Sequence, residues 1–197
     1  MRALGDALGV APGAIYWHFS SKEEIVGAVS ALVLSDIDVT DTRDRSWHGE
    51  LNDLAHAMRR AMHRHPNVAP VFGTQILTSI YGATLAERIM TILAEAGFSG
   101  DDLVHAYNAF TGTVLGWVTV ELSRSPTVDM SWRDGLRAAL DGLDASEYPA
   151  LAAAMPHARN AAFMLRWDLA EINPLDDAFS FTISVLLDGL RARLRQR

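Results

Sequence analysis

The stretch LGVAPGAIYWHFSSKEEI, residues 8–25, carries the organisation of the chain around it. Leu4 and Leu8 lie one helical turn apart and Gly9 follows them, so a short helix ends there. Ala11-Pro12-Gly13 makes a tight connection, and Ile15, Tyr16 and Phe19 belong to a second short helix. Ser21 stands three residues before Glu24, the spacing of a capping box, in which hydroxyl and carboxylate each accept from an orphaned backbone N–H. A longer helix is expected from there, with Ile25, Val29, Leu32 and Val33 as its buried stripe. Two short helices around a three-residue turn can present one helix end-on to a groove about 12 Å wide, that of double-stranded DNA.

Outward from this stretch the pattern stays helical, with apolar residues at three- and four-residue steps and no sustained strict alternation. The fold class is all-α. The polar run Asp38 to Arg45 marks a hinge, giving one domain over 1–38 and a second over 46–197. A helix begins at Ser46-Trp47 and passes through Leu51, Leu54, Ala55, Met58 and Met62 to His65, where Pro66 stops it. Pro70 and Gly73 break a short element. The next helix carries Ile80, Leu85, Ile89, Ile92 and Leu93 and closes at Gly97-Phe98. Asp101 and Asp102 open a helix reaching about Ser123, with Tyr107, Phe110, Val114 and Trp117 on one stripe and Val104, Thr111, Leu115, Val118 and Leu122 on a neighbouring one. Such a helix must be covered on two sides. Ser131-Trp132 heads a short helix to Leu140, and Leu175 to Arg195 forms a last helix with a packing seam of Phe179, Ile183, Leu186, Leu187, Leu190 and Leu194.

Composition excludes several classes. There is no cysteine, hence no disulfide, thiolate nucleophile or thiolate metal site. No apolar run reaches about 18 residues, and the start Met1-Arg2-Ala3-Leu4-Gly5-Asp6 resembles no targeting segment, so a cytoplasmic protein without membrane association is expected. The net charge is -7, and residues 1–36 hold only Arg2 and Lys22 against Asp6, Glu23, Glu24 and Asp36. That balance gives no general attraction to phosphate. A recognition helix, however, needs only a few donors on one face. His63 and His65 are two apart and diverge on a helix, so with His56 they read as solvated surface histidines rather than metal ligands. No Ser-His-acid set, Gly-rich phosphate loop or carboxylate pair stands out, and neither enzyme chemistry nor a metal or cofactor is expected.

Residues 8–25, down to the Tyr-Trp-His-Phe run at 16–19 and the Ser-Lys-Glu at 21–23, resemble the helix-turn-helix of the tetracycline-repressor (TetR) family. The resemblance implies a positioning helix over 1–9, a recognition helix over 13–19 and a linking helix from 21 to about 37. It places Arg2, Ala14, Tyr16, Trp17, His18 and Lys22 on the DNA face. Tyr16 and His18 suit phosphate oxygens, and Lys22, the only lysine of the chain, sits where a helix N-terminus meets the backbone. Base reading falls to Pro12, Gly13, Ala14 and Trp17, which are nearly donor-free and suit thymine methyl groups. The bland alternative is a set of packed aromatics. Ile15 and Phe19 fit it, but Tyr16, Trp17 and His18 are consecutive and cannot all face inward. Family members carry a further helix before Arg2, and this first helix is missing here, which leaves Leu4, Leu8, Ile15 and Phe19 partly uncovered. The expectation is that Met1 is an internal methionine taken as the start and that roughly 20 or more residues precede it.

The resemblance extends through Ser46-Trp47 to His65-Pro66, Ala96-Gly97-Phe98, the long helix to Leu122, and Leu187 to Leu194, which look like the tetracycline-repressor type of C-terminal domain. It implies a homodimer held by the helices near 101–123 and 175–195. It also implies a small-molecule pocket lined by Leu54, Met58, Phe72, Gln75, Ile76, Tyr81, Tyr107, Asn108, Thr111 and Trp117. Ordinary core is the alternative for these residues, although Asn108 and Thr111 are expected to face something polar. Phe72 and Val120 stand where tetracycline-binding members place a metal-ligating histidine and an acidic partner, so a magnesium–tetracycline ligand is not expected. The reading is of a repressor released from a palindromic double-stranded DNA operator by a small-molecule effector, with an activator still open. Its alternative is a ligand-binding helical protein that does not read DNA, if the short N-terminus is genuine.

Overall fold

Gly9 ends α1 (Arg2–Leu8) in the left-handed region, at φ 68° and ψ 27°, where a side chain would be strained. The Val10 N–H donates to Gly5 O at 3.0 Å, so the chain folds back over its own helix. Gly5 permits that approach, since a Cβ there would stand 2.8 Å from Val10 O. Ala11 is extended, and Pro12, pre-set in φ, opens α2 (Pro12–Tyr16). This is shorter than the expected 13–19, although Trp17 keeps helical dihedrals and the Phe19 N–H still donates to Ile15 O. The Ser21 hydroxyl accepts from the Glu24 N–H at 3.1 Å and starts α3 (Lys22–Ser35). The Glu24 carboxylate accepts from the N–H and hydroxyl of Ser20, one residue earlier than a standard capping box.

The computed structural model describes residues 1–37, 46–67, 80–122, 135, 138–139, 142–158 and 175–196; every helix or strand found among them is an α-helix. After α3 come α4 (Trp47–Arg64), α5 (Ile80–Glu95), α6 (Gly100–Glu121), α7 (Pro149–Ala158) and α8 (Asp176–Arg195). Ser46 caps α4 by accepting from the Gly49 N–H at 3.2 Å. Gly97, at φ 111°, reverses the chain after α5 while the Phe98 N–H donates to Leu93 O. The expected hinge at 38–45, the broken element around Pro70 and Gly73, and most of the expected helix from Ser131 to Leu140 lie outside the described residues.

Helix α4 is the centre of the packing, touching α5, α6 and α8, while α3 lies against α4 and α5. Leu51, Met58, Met62, Ile89, Leu93, Phe110, Phe179, Ile183 and Leu187 are fully buried together. Each such side chain contributes roughly 1.5–3 kcal/mol. One expected face is corrected. Helix α3 buries Ser30, Val33 and Leu34, with Ile37 just beyond it, whereas Leu32 is 61% exposed and Val29 is also exposed. Both stripes are compatible with a helical period, and the position of α4 and α5 selects between them.

Candidate DNA-reading face and effector half

The candidate DNA-reading block is α1, α2 and the start of α3. Ile15 is its buried anchor, and Leu4 and Phe19 are half-buried. Arg2, Gly13, Ala14, Tyr16, Trp17, His18 and Lys22 are all exposed and Pro12 is half-buried. Trp17 is 90% exposed, which places an indole in water where packing alone would bury it. Core packing therefore accounts for Ile15 and in part for Phe19, but not for Tyr16 and Trp17.

In the other half, Leu54, Met58, Tyr107 and Thr111 are buried where α4 and α6 meet. The Thr111 hydroxyl donates to Tyr107 O at 2.8 Å, so its polarity is satisfied within α6. Burial raises the Tyr107 phenol above its ordinary value. Asn108 is exposed on the far side of α6 and does not join the others. Trp117 is half-buried, its ring edge-on to Phe179 at 5.9 Å. Phe72, Gln75 and Ile76 lie outside the described residues, as does the side chain of Tyr81.

A second cluster escaped sequence reasoning. Arg59, at the margin of the buried face of α4, donates from Nε to Glu121 Oε2 at 2.9 Å and from Nη2 to Glu121 Oε1, and its Nη1 reaches Asp176 Oδ1 at 2.6 Å. The side chains of Arg59 and Glu121 are only 8% and 4% exposed. His63 Nε2 lies 3.0 Å from Glu121 Oε2. Burial alone would raise the Glu121 carboxyl, but the hydrogen bonds from Arg59, with the His63 ring close by, overcome it and hold the group at about 2. His56 packs edge-on against Phe179 and is held below its ordinary value by burial, then by Arg59 and Arg60. The histidines expected on a solvated surface are therefore partnered: His63 with Glu121, His56 with Phe179, and His65 with Asp36. Their signal was present as His56, Arg59, Arg60 and His63, a polar stripe with helical spacing on an otherwise apolar helix. Among the described residues no group of three His, Asp or Glu could hold a metal ion, and no helix is long and apolar enough to cross a membrane.

Two family models match this chain: "Bacterial regulatory proteins, tetR family" over residues 1–29, and "Tetracyclin repressor-like, C-terminal domain" over residues 40–194. The chain belongs to the TetR family. Within that family it is 28% identical over 156 residues to an HTH-type transcriptional regulator of Saccharopolyspora erythraea, covering 79% of this chain and 66% of that regulator. It is 29% identical over 203 residues to the tetracycline repressor protein class A from transposon 1721 of Escherichia coli, covering 98% of this chain and 81% of that repressor. A possible TetR family transcriptional regulator from Streptomyces coelicolor A3(2) superimposes with a TM-score of 0.74 at 26% identity, over 97% of this chain and 88% of that one. BioQ, solved with its natural double-stranded DNA operator, is 31% identical with a TM-score of 0.57, over 72% of this chain and 82% of that one. The TetR assignment favours the DNA-reading interpretation over that of a ligand binder that does not read DNA.

Proposed function

We propose that this TetR-family chain is a cytoplasmic transcriptional repressor that binds a palindromic operator as a homodimer and leaves it when a small molecule binds the helical half. The observation that carries the reading is the exposed Trp17, on a helix-turn-helix whose neighbours Arg2, Tyr16, His18 and Lys22 are also exposed. Lys22 and the hydroxyl and imidazole groups position the protein on phosphates, while Pro12, Gly13, Ala14 and Trp17 meet base edges by apolar contact.

The dimer is held by the outer faces of α6 and α8. Helix α8 buries Phe179, Ile183 and Leu187 on one side and leaves Phe181 71% and Val185 55% exposed on the other. Helix α6 exposes Asn108, Gly112 and Gly116 between Val104 and Val120, so another helix can approach closely. Pairing of these faces makes a four-helix bundle. A two-fold dimer then presents its recognition helices about 34–36 Å apart, one turn of DNA.

The effector is taken up against Leu54, Met58, Tyr107, Thr111 and Trp117. A shift of α4 passes to the reader through α3, whose end is bonded to Arg64 and His65. Linkage requires the effector to bind the DNA-incompetent arrangement more tightly, by typically 1–3 kcal/mol. Mobility shifts on DNA upstream of the protein's own gene test the reading: a shift that Trp17→Ala weakens supports it, and no shift with or without candidate effectors overturns it.

A further inference from the structure

Between α4 and α8 lies a cleft of about 470 Å3, lined by His56, Arg59, Arg60, His63, Asp176 and Ser180. That is enough for a metabolite-sized molecule. It is chemically unlike the apolar core around Met58. Among the described residues that line it, His56, Arg59, Arg60 and His63 are basic types from α4, and Asp176 is the acid. The Asp176 side chain is 62% exposed, in contrast to the Glu121 carboxylate on the same guanidinium, which is almost wholly buried. Arg59 is therefore fixed from behind by two hydrogen bonds to Glu121 and offers a remaining arm, Nη1, at the open side. A guanidinium held in place on one edge is preorganised to take a carboxylate on the other. Asp176 already occupies that position, at the first residue of α8. Arg60, exposed beside it, adds a second cation that lies within the same cleft.

We propose that the cleft between α4 and α8 is a binding site for a small carboxylic acid, whose carboxylate takes the place of Asp176 on Arg59. The ligand carboxylate accepts from Arg59 Nη1 and from Arg60, and its body lies beside His56, whose ring is held edge-on to Phe179. Asp176, whose own side chain is 62% exposed, swings out to solvent as the ligand carboxylate takes over its hydrogen bond from Arg59. Glu121 stays on Arg59 throughout, so the buried pair is never broken. Binding at this site is read without DNA.

The test is calorimetric titration of the full chain with 2-naphthoate and with its uncharged counterpart 2-naphthamide. The proposal expects the acid to bind and the amide to bind at least about tenfold more weakly, the charge-assisted bonds being lost. Asp176→Asn removes the competing carboxylate and is expected to tighten naphthoate by about threefold to fivefold, while Arg60→Gln weakens it by a similar factor. A merely structural Asp176 would not improve binding when removed. Equal binding of acid and amide, or an Arg60→Gln chain with unchanged affinity, overturns the proposal, as does an Asp176→Asn chain that folds and binds no tighter. Should Asp176→Asn lose its helical circular dichroism, the exposed Arg60→Gln variant decides alone.

Discussion

His65 Nε2 stands 3.1 Å from Asp36 Oδ2, so the residue that caps the C-terminus of α4 is bonded to the residue that caps the C-terminus of α3. Arg64 joins the contact, its Nη2 donating to Asp36 O at 3.3 Å. His65 first, and then the charge of Arg64, hold the Asp36 carboxyl below its ordinary 3.8. A carboxyl depressed on folding stabilises above its unfolded value and ceases to do so as pH falls through the folded one. The junction is therefore expected to hold at neutral pH and to loosen below about pH 4. Hydrogen exchange at residues 33–37 should quicken in Asp36→Asn at pH 7, with Ile89 and Leu93 unaffected; equal protection in both proteins would remove this contact from the coupling path.

Arg59 and Glu121 make a different kind of pair, almost fully buried. Removing the Glu121 charge leaves the buried guanidinium with only the more exposed Asp176, and Glu121→Gln is expected to cost up to about 3 kcal/mol at pH 7. The double variant Arg59→Met with Glu121→Leu should recover most of that loss, because no charge remains to be desolvated. With a folded value of about 2 against an ordinary 4.5, the Glu121 contribution is complete above about pH 4.5 and declines towards pH 2. Urea unfolding followed by tryptophan fluorescence should show the gap between native chain and Glu121→Gln narrowing over that range.

Trp17 and Ile15 are two residues apart and should separate function from stability. Trp17→Ala, on an exposed indole, is expected to leave the unfolding midpoint unchanged while weakening operator binding by about tenfold or more, a loss above roughly 1.4 kcal/mol. Ile15→Ala removes the buried anchor of the reader and should cost about 2–5 kcal/mol there. Paired mobility-shift and melting curves distinguish the two.

Phe181 and Val185 lie on the face of α8 turned away from the core. Introducing Asp at both positions should leave the helical content intact and convert a dimer to a monomer in sedimentation velocity. Operator affinity should fall with it, since each half-site would then be bound separately. A double variant that sediments like the native chain would place the subunit contact elsewhere.

Much of the fold was legible because its signals are local. Gly9, Pro12, Ser21, Ser46 and Gly97 act within a few residues of themselves, through backbone dihedrals and caps, and each begins or ends the helix that its position implies. Tyr16 and Trp17 could be placed outside because three consecutive helical residues cannot share one inward face. The histidines of α4 could not be read this way. Whether His63 is solvated or bonded depends on Glu121, which is 58 residues further along the chain and reaches it only when α6 packs on α4.

Residue order was thus sufficient for the helical class, the helix-turn-helix and the family, since these follow from short-range spacing and from motif residues that lie together in the chain. Tertiary packing alone decided that α3 buries Ser30 and Leu34 instead of Val29 and Leu32, and that Asn108 faces away from Tyr107 and Thr111. It also brought Arg59, Glu121 and Asp176 to one point. A helical period offers several neighbouring stripes of comparable polarity, and which of them is buried is fixed by the helices that come to rest against it.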